Sequence, residues 1–244
     1  MKTPVTEWKE GSERLALVVG DLGKQGPKPA ILWAHSAVGS SEVFLEEASA
    51  LAGLGAVSLL VEAPYSKARL GERRRGSQNP DLEYALWGQS AAEWTSLLDR
   101  LVGTTEIELV RSKAVGQNLG GSHVAHWLTK DRRIRSGLAT GSVPELSLGW
   151  PADLRERMRP FDLTESLSQM PDHRYYFQFG HRDDWIDPRS VDRLAQRISG
   201  HQKIEWFDDG HEMMSPLAVE SRLRWLLGEP VFRSRPSALG PQSQ

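Results

Sequence analysis

The sequence predicts an α/β protein, with a mainly parallel central sheet and helices on both faces. Two observations predict it. Short apolar runs rich in β-branched residues alternate with segments of helical periodicity along most of the chain. Such alternation implies right-handed crossovers and a sheet buried on both sides. Three of the apolar runs end in glycine and polar residues, around positions 116–121, 180–184 and 208–211, the edge on which open α/β sheets carry ligands.

Taken in order, residues 14–19 (RLALVV) read as a strand, closed by a glycine-rich turn over 20–26. Residues 29–35 (PAILWAH) read as a buried strand. Residues 42–54 place Phe44, Leu45, Ala48, Leu51 and Ala52 on one helical face, with Ser40 or Ser41 as cap and Gly55 beyond the end. Residues 56–61 (AVSLLV) form the next buried strand. A long helix spans 81–102, where Leu82, Leu86, Ala91, Trp94, Leu97, Leu98 and Leu101 mark the apolar side. The pattern then predicts a strand over 107–115, a helix over 119–130 and a strand over 134–140. A strand over 173–179, a helix over 190–198, a strand over 203–207 and a closing helix over 216–227 follow. One domain over 1–229 accounts for these elements. Residues 63–80 and 141–170, rich in Pro and Gly, are expected as irregular lid loops, and residues 230–244 as a flexible tail.

Composition narrows the function. The chain has 244 residues, 30 basic and 32 acidic side chains and a net charge of −2. That balance argues against a strongly basic nucleic-acid binder. There are no cysteines, so disulfides, cysteine-ligated metals and a cysteine nucleophile are excluded. No apolar run reaches the length of a membrane span, and charges at Glu7, Lys9, Glu10, Glu13 and Arg14 interrupt the start of the chain. A cytoplasmic protein with a small-molecule substrate, no nucleic acid and no membrane partner is expected. Charge and composition leave the oligomeric state open.

The chemistry-bearing residues centre on Val115-Gly116-Gln117-Asn118-Leu119-Gly120-Gly121. A strand ends here and a helix begins, with Gly116 and Gly120 two residues either side of Asn118. Those glycines suit a sharp strand-to-helix elbow, because neighbouring chain would clash with a β-carbon. Further on, Phe179-Gly180-His181-Arg182-Asp183-Asp184-Trp185 and Phe207-Asp208-Asp209-Gly210-His211 each place a polar loop after an apolar strand. The order is then elbow residue Asn118, acid Asp183 and His211. After the strand at 29–35, the loop containing Ser36 and Ala37 can present backbone N–H groups to a developing oxyanion, together with the N–H of Leu119.

These features together resemble the α/β-hydrolase superfamily. The stretches AILWAHSAVGS, EEASALAGLGAVSLLVEAP and YYFQFGHRDDWID are similar to its dienelactone-hydrolase-like branch, and the similarity covers about residues 29–227. The resemblance implies that Asn118 stands at the nucleophile's position, where the family carries Ser or Cys. It implies that Asp183 is the acid, with Asp184 a neighbour able to substitute, and His211 the histidine. Leu119 and Ala37 match the oxyanion donors. The family usually has Gly where this chain has Ser36, which leaves the second donor open. A carboxamide cannot form the covalent acyl-enzyme that an activated hydroxyl or thiol forms, and Ser36 and Ser122 lie off the elbow.

Three readings follow. The first is a cofactor-free enzyme in which His211 and Asp183 work as a general acid–base dyad beside an oxyanion site, with Asn118 positioning substrate or water. Hydration or dehydration, C–C cleavage, isomerisation and cyclisation suit it. The second is an ester, lactone or epoxide hydrolase whose nucleophile has been replaced by Asn. The third is a ligand-binding pseudohydrolase. Glu62 and Tyr65 follow a strand end on the ligand-binding edge, where Glu62 is expected either to meet polar groups of a substrate or to bond backbone N–H groups in its loop. Arg69, Arg73, Arg74 and Arg75 are candidates for a substrate carboxylate. Trp185 and Trp150 are candidates for stacking on substrate, whereas Trp33 reads as core. His123 and His126 lie three residues apart without an acid or Cys beside them, and no metal or cofactor is expected.

Overall fold

The computed structural model describes residues 3–23, 26–36, 39–64, 66, 69, 80–198 and 202–228. The strands are β1 (Val5–Glu10), β2 (Glu13–Val19), β3 (Ala30–Ala34), β4 (Val57–Val61), β5 (Lys113–Gln117), β6 (Ser136–Thr140), β7 (Arg174–Gly180) and β8 (Gln202–Phe207). The α-helices are α1 (Leu45–Gly53), α2 (Pro80–Thr104), α3 (Leu119–Lys130), α4 (Ala152–Met158), α5 (Leu163–Ser168), α6 (Pro188–Arg197) and α7 (Pro216–Leu226). Among the described residues the strands form one sheet in the order β1-β2-β4-β3-β5-β6-β7-β8. Pairing is antiparallel for β1/β2 and β2/β4, and parallel from β4 through β8.

Side-chain alternation sorts the core into two layers. Val18, Leu32, Leu59, Ala114, Ala139 and Phe177 face a layer built from α2, α3, α5 and α6, including Trp94, Leu98, Trp127, Leu163 and Leu194. Their strand neighbours Leu17, Ile31, Trp33, Leu60, Val115, Leu138 and Tyr176 face Phe44, Ala48, Leu51 and Leu226 of the opposite layer. Burying a side chain of this size is worth about 1.5–3 kcal/mol, so both faces contribute to holding the sheet. Trp33 is core, as read from its strand. It packs 4.8 Å from Phe44 and donates to Ser58 Oγ at 3.1 Å.

β3 lies between β4 and β5, so the chain leaves β3 to one side and later returns on the other. That reversal opens a crevice at the carboxyl ends of β3 and β5. Ala34 and Gly116 are register partners there, which brings the loop after β3 level with the elbow after β5.

Several expectations are corrected. The strand placed over 107–115 is Lys113–Gln117, because Ile107 makes only an isolated bridge to Lys28 and Leu109–Arg111 winds into a 3-10 turn. The helix read from 42 begins as a 3-10 turn, Ser41–Phe44, and becomes α-helical at Leu45. Ser40 makes no side-chain cap, and Ser41 Oγ turns instead to Glu62. The stretch 141–170 is not irregular throughout. It holds α4 and α5 with 3-10 turns at Leu146–Gly149 and Arg159–Phe161. β1 has no counterpart among the elements the sequence predicts. The residues 70–79, with Arg73, Arg74 and Arg75, lie outside the described residues, as do Tyr65, Ala37 and the expected tail at 230–244.

Candidate active site

Asn118 sits between β5 and α3 at φ 51°, ψ −120°, a combination that costs a non-glycine residue energy and persists only where packing enforces it. The enforcement comes from backbone proximity. A β-carbon on Gly116 would lie 2.3 Å from Gly120 O, and one on Gly120 would lie 2.2 Å from Ala34 O. The start of α3 therefore rests directly on the end of β3. Asn118 N donates to Thr140 O at 2.9 Å, and Gly121 N donates to Asn118 O at 3.0 Å. Leu119 opens α3, so its N–H has no carbonyl one turn earlier to pair with.

The two other segments converge on this elbow. Asn118 Nδ2 lies 2.6 Å from His211 Nε2, and His211 Nδ1 lies 2.8 Å from Asp183 Oδ2. The Asp183 side chain is 1% exposed and that of His211 14%. Asp183 Oδ1 accepts from Trp185 N at 2.8 Å, which fixes the carboxylate's other oxygen. An amide nitrogen can only donate, so Nε2 accepts and the ring proton sits on Nδ1, facing Asp183. Asp184 is exposed and takes no part in this contact. Trp185 stacks on His211 with ring centroids 5.2 Å apart and planes at 25°. It is 74% exposed, so its outer face is open.

The histidine loop has supports that sequence reasoning missed. Asp209 accepts from Gly210 N at 2.8 Å and Ser215 N at 2.7 Å. Burial pushes this carboxyl up, but the Ser215 and Gly210 donors outweigh it and hold the group below its ordinary value. Gln117 Nε2 donates to Glu212 O at 3.0 Å, and Arg222 donates to Met213 O at 3.1 Å. Arg222 is buried and held by both oxygens of Glu47 and by Gln178. A tight turn built on Asp-Gly was the available sequence signal for Asp209; nothing local pointed to Arg222.

Ser36 is buried beside β3, where its carbonyl lies 2.6 Å from His35 Nδ1 and accepts from Gly39 N at 3.2 Å. Glu62 does not reach toward the substrate edge as expected. It is 2% exposed and turned inward, against Ser41 N, Ser41 Oγ and His35 Nε2. It braces the far side of the loop that carries Ser36. Arg69 is likewise sequestered, held by Glu93 through two hydrogen bonds and by Glu13, so it does not stand free for a carboxylate. Leu119 touches two apolar clusters, one with Ala63, Leu82 and Leu86 and one with Trp87, Leu146, Trp150, Met158 and Phe161. His123 stacks on Trp87 at 3.5 Å. His126 is pushed down to about 4 by burial and by Lys130, with the Pro160 carbonyl opposing. No group of three metal-ligating side chains occurs among the described residues, and no described helix is long and apolar enough to cross a membrane.

The strand order, the elbow at Asn118 and the loops after β7 and β8 together define an α/β-hydrolase fold. No protein-family model matches the chain, and no curated protein does. Solved structures match closely in shape. A dienelactone hydrolase from Anabaena variabilis superposes with a TM-score of 0.65 at 13% identity, covering 92% of this chain and 95% of that one. An acetyl xylan esterase from Paenibacillus sp. R4 gives 0.68 at 14% identity, over 93% and 89%. An esterase from Pyrococcus furiosus gives 0.65 at 14% identity, over 95% and 92%. The chain is similar to these proteins in fold.

Proposed function

We propose that the protein is a cofactor-free enzyme on a small carbonyl-containing substrate, with His211 as general acid–base. The observation that carries the reading is the contact chain from Asn118 Nδ2 through His211 to Asp183, at 2.6 and 2.8 Å. Asp183 holds the imidazole with its proton on Nδ1 and leaves Nε2 as the acceptor. A substrate oxygen binds at the Leu119 N–H and a second donor from the loop containing Ala37, where negative charge is stabilised as it develops. Substrate or water displaces the Asn118 contact, and His211 Nε2 takes and returns the proton. Asn118 then hydrogen-bonds the oxyanion or the water. Hydration, dehydration, C–C cleavage, isomerisation and cyclisation need no more than this. The exposed face of Trp185 is the platform for an unsaturated substrate, and the segment 141–170 covers the elbow through its contacts with Leu119.

A second reading rests on the conformation of Asn118. Its φ of 51° is the strained posture that exposes an attacking side chain, so the elbow has the backbone form that an ester or lactone hydrolase requires. The esterase and dienelactone hydrolase among its structural neighbours support it. Substituting Asn118→Ser and assaying an activated ester separates the two. A large gain in ester turnover with a trapped acyl-enzyme mass supports the second reading. The first requires that Asn118→Ser and His211→Ala both abolish the native reaction. A His211→Ala variant with unchanged turnover removes the dyad from the mechanism altogether.

A further inference from the structure

A second cluster of polar groups lies at the opposite edge of the sheet from Asn118, where β6 and β7 begin. Arg132 and Arg135 sit on the connection from α3 to β6, and Gln169, Asp172 and His173 on the connection from α5 to β7. The two connections are joined by Arg174 N donating to Arg135 O at 2.9 Å. Between them is a cavity of about 60 Å³, several times the volume that admits one water.

His173 lines this cavity and is 6% exposed, and neither ring nitrogen makes a well-formed hydrogen bond, although the Ile134 carbonyl lies close enough to favour the charged ring. An imidazole buried without well-formed hydrogen bonds is costly. Arg132 and Arg135 are exposed at the rim and make no ion pair among the described residues. Their neighbour Arg133 contrasts with them, since it is paired with Asp131 and Asp99. Gln169 donates to Glu165 O, and Asp172 is the one carboxylate lining the cavity among the described residues. The cluster is therefore rich in donors and poor in acceptors.

We propose that this cavity binds a phosphate-sized oxyanion, held by Arg132, Arg135 and His173. Two guanidiniums present planar donor pairs matched to such oxygens, and His173 donates the remaining hydrogen bond. Asp172 and the carboxyl end of α5, with about half an elementary negative charge, oppose an anion but are outweighed by the two arginines. The site stands apart from the proposed catalysis, and the ligand is either the free ion or the phosphoryl end of a larger molecule.

A pH signature follows. Burial first, then Arg132 and Arg135, push the His173 imidazole below its ordinary value, with Asp172 and the Ile134 carbonyl opposing. A bound dianion opposes that shift and favours protonation of the ring. Affinity for sulfate, whose charge is constant across the range, should rise as pH falls from about 8 to about 6, by at most about tenfold per pH unit for one linked proton.

Titration calorimetry on the full chain at constant ionic strength, with sulfate, inorganic phosphate and glycerol phosphate as probes, tests this. One saturable sulfate site is expected. Arg132→Ala and Arg135→Ala should each weaken it by about tenfold or more, Asp172→Asn should tighten it, and His173→Asn should abolish the pH dependence. Should His173→Asn fail to fold, imidazole NMR of the unaltered chain replaces it: sulfate must shift the His173 resonances and leave those of His211 in place. Tighter binding of glycerol phosphate than of phosphate identifies a larger ligand, and the reverse identifies the free ion. Absent saturable binding, binding indifferent to both arginine substitutions, or a sulfate response at His211 instead overturns the proposal.

Discussion

Replacing Glu62 by Gln tests whether a buried carboxylate braces the loop beside the elbow. Burial alone would raise its pKa. The contacts from His35, Ser41 and Ser66 outweigh burial and lower it from 4.5 to about 2. With the group only 2% exposed, solvent screening removes little of this. At about 1.4 kcal/mol per pH unit, the difference is worth about 3 kcal/mol of stability at neutral pH. The sign is fixed by the direction: the contribution is complete above the ordinary carboxyl range and is lost as pH falls toward 2. About 1 kcal/mol should remain at pH 3, so about 2 kcal/mol disappears between pH 7 and pH 3 through this one group. Urea unfolding followed by tryptophan fluorescence measures it. Glu62→Gln keeps the shape, so it should be less stable than the parent at pH 7 and lose less stability on acidification. Parallel losses in the two proteins between pH 7 and pH 3 would refute the depressed carboxyl and the bracing role drawn from it.

Further substitutions probe other parts of the argument. Gly120→Ala places a β-carbon 2.2 Å from Ala34 O, a backbone atom with nowhere to go, and should cost about 3 kcal/mol or more in urea unfolding. Gly88→Ala on α2, with open space around it, should instead stabilise by about 0.5–1 kcal/mol; equal effects at the two sites would undo the close-approach account. Arg222→Met strands the buried Glu47 carboxylate and should cost about 3–5 kcal/mol, while Arg222→Met combined with Glu47→Leu recovers much of it. A single-variant loss below about 1 kcal/mol would show that the pair does not support the histidine loop. Lys113 is lowered from 10.5 to about 8 by burial, then by Arg111 and Arg174. Its amine neutralises earlier in the fold than in the unfolded chain, so stability should climb as pH rises from about 8 toward 10.5. Lys113→Met should flatten that climb in pH-dependent thermal melts.

What was legible in the sequence was what is encoded locally. The order of most strands and helices follows from periodicity, and the elbow from glycines spaced around Asn118. The loops carrying Asp183 and His211 were marked by polar residues after apolar strands, and the fold brings all three together. What escaped depends on partners far along the chain. β1 reads VTEWKE, with only Trp8 buried between charges, so its strand character comes from pairing with β2. Prolines at 151 and 160 read as breakers, yet Pro151 caps α4 and Pro160 lies in the first turn of a 3-10 helix, positions where proline loses no helical hydrogen bond. Glu62 sits at a strand end, where substrate contact is the natural expectation. Only the fold shows His35 and Ser41 drawing its carboxylate inward.

The conformation at Asn118 is imposed by Gly116, Gly120 and the chain of β3, and its side chain makes no helix-capping hydrogen bond. Backbone posture and side-chain identity are consequently separable at that one codon. A hydroxyl or a thiol in place of the carboxamide should leave the scaffold unchanged, which makes position 118 the place to test the chemistry proposed for this architecture.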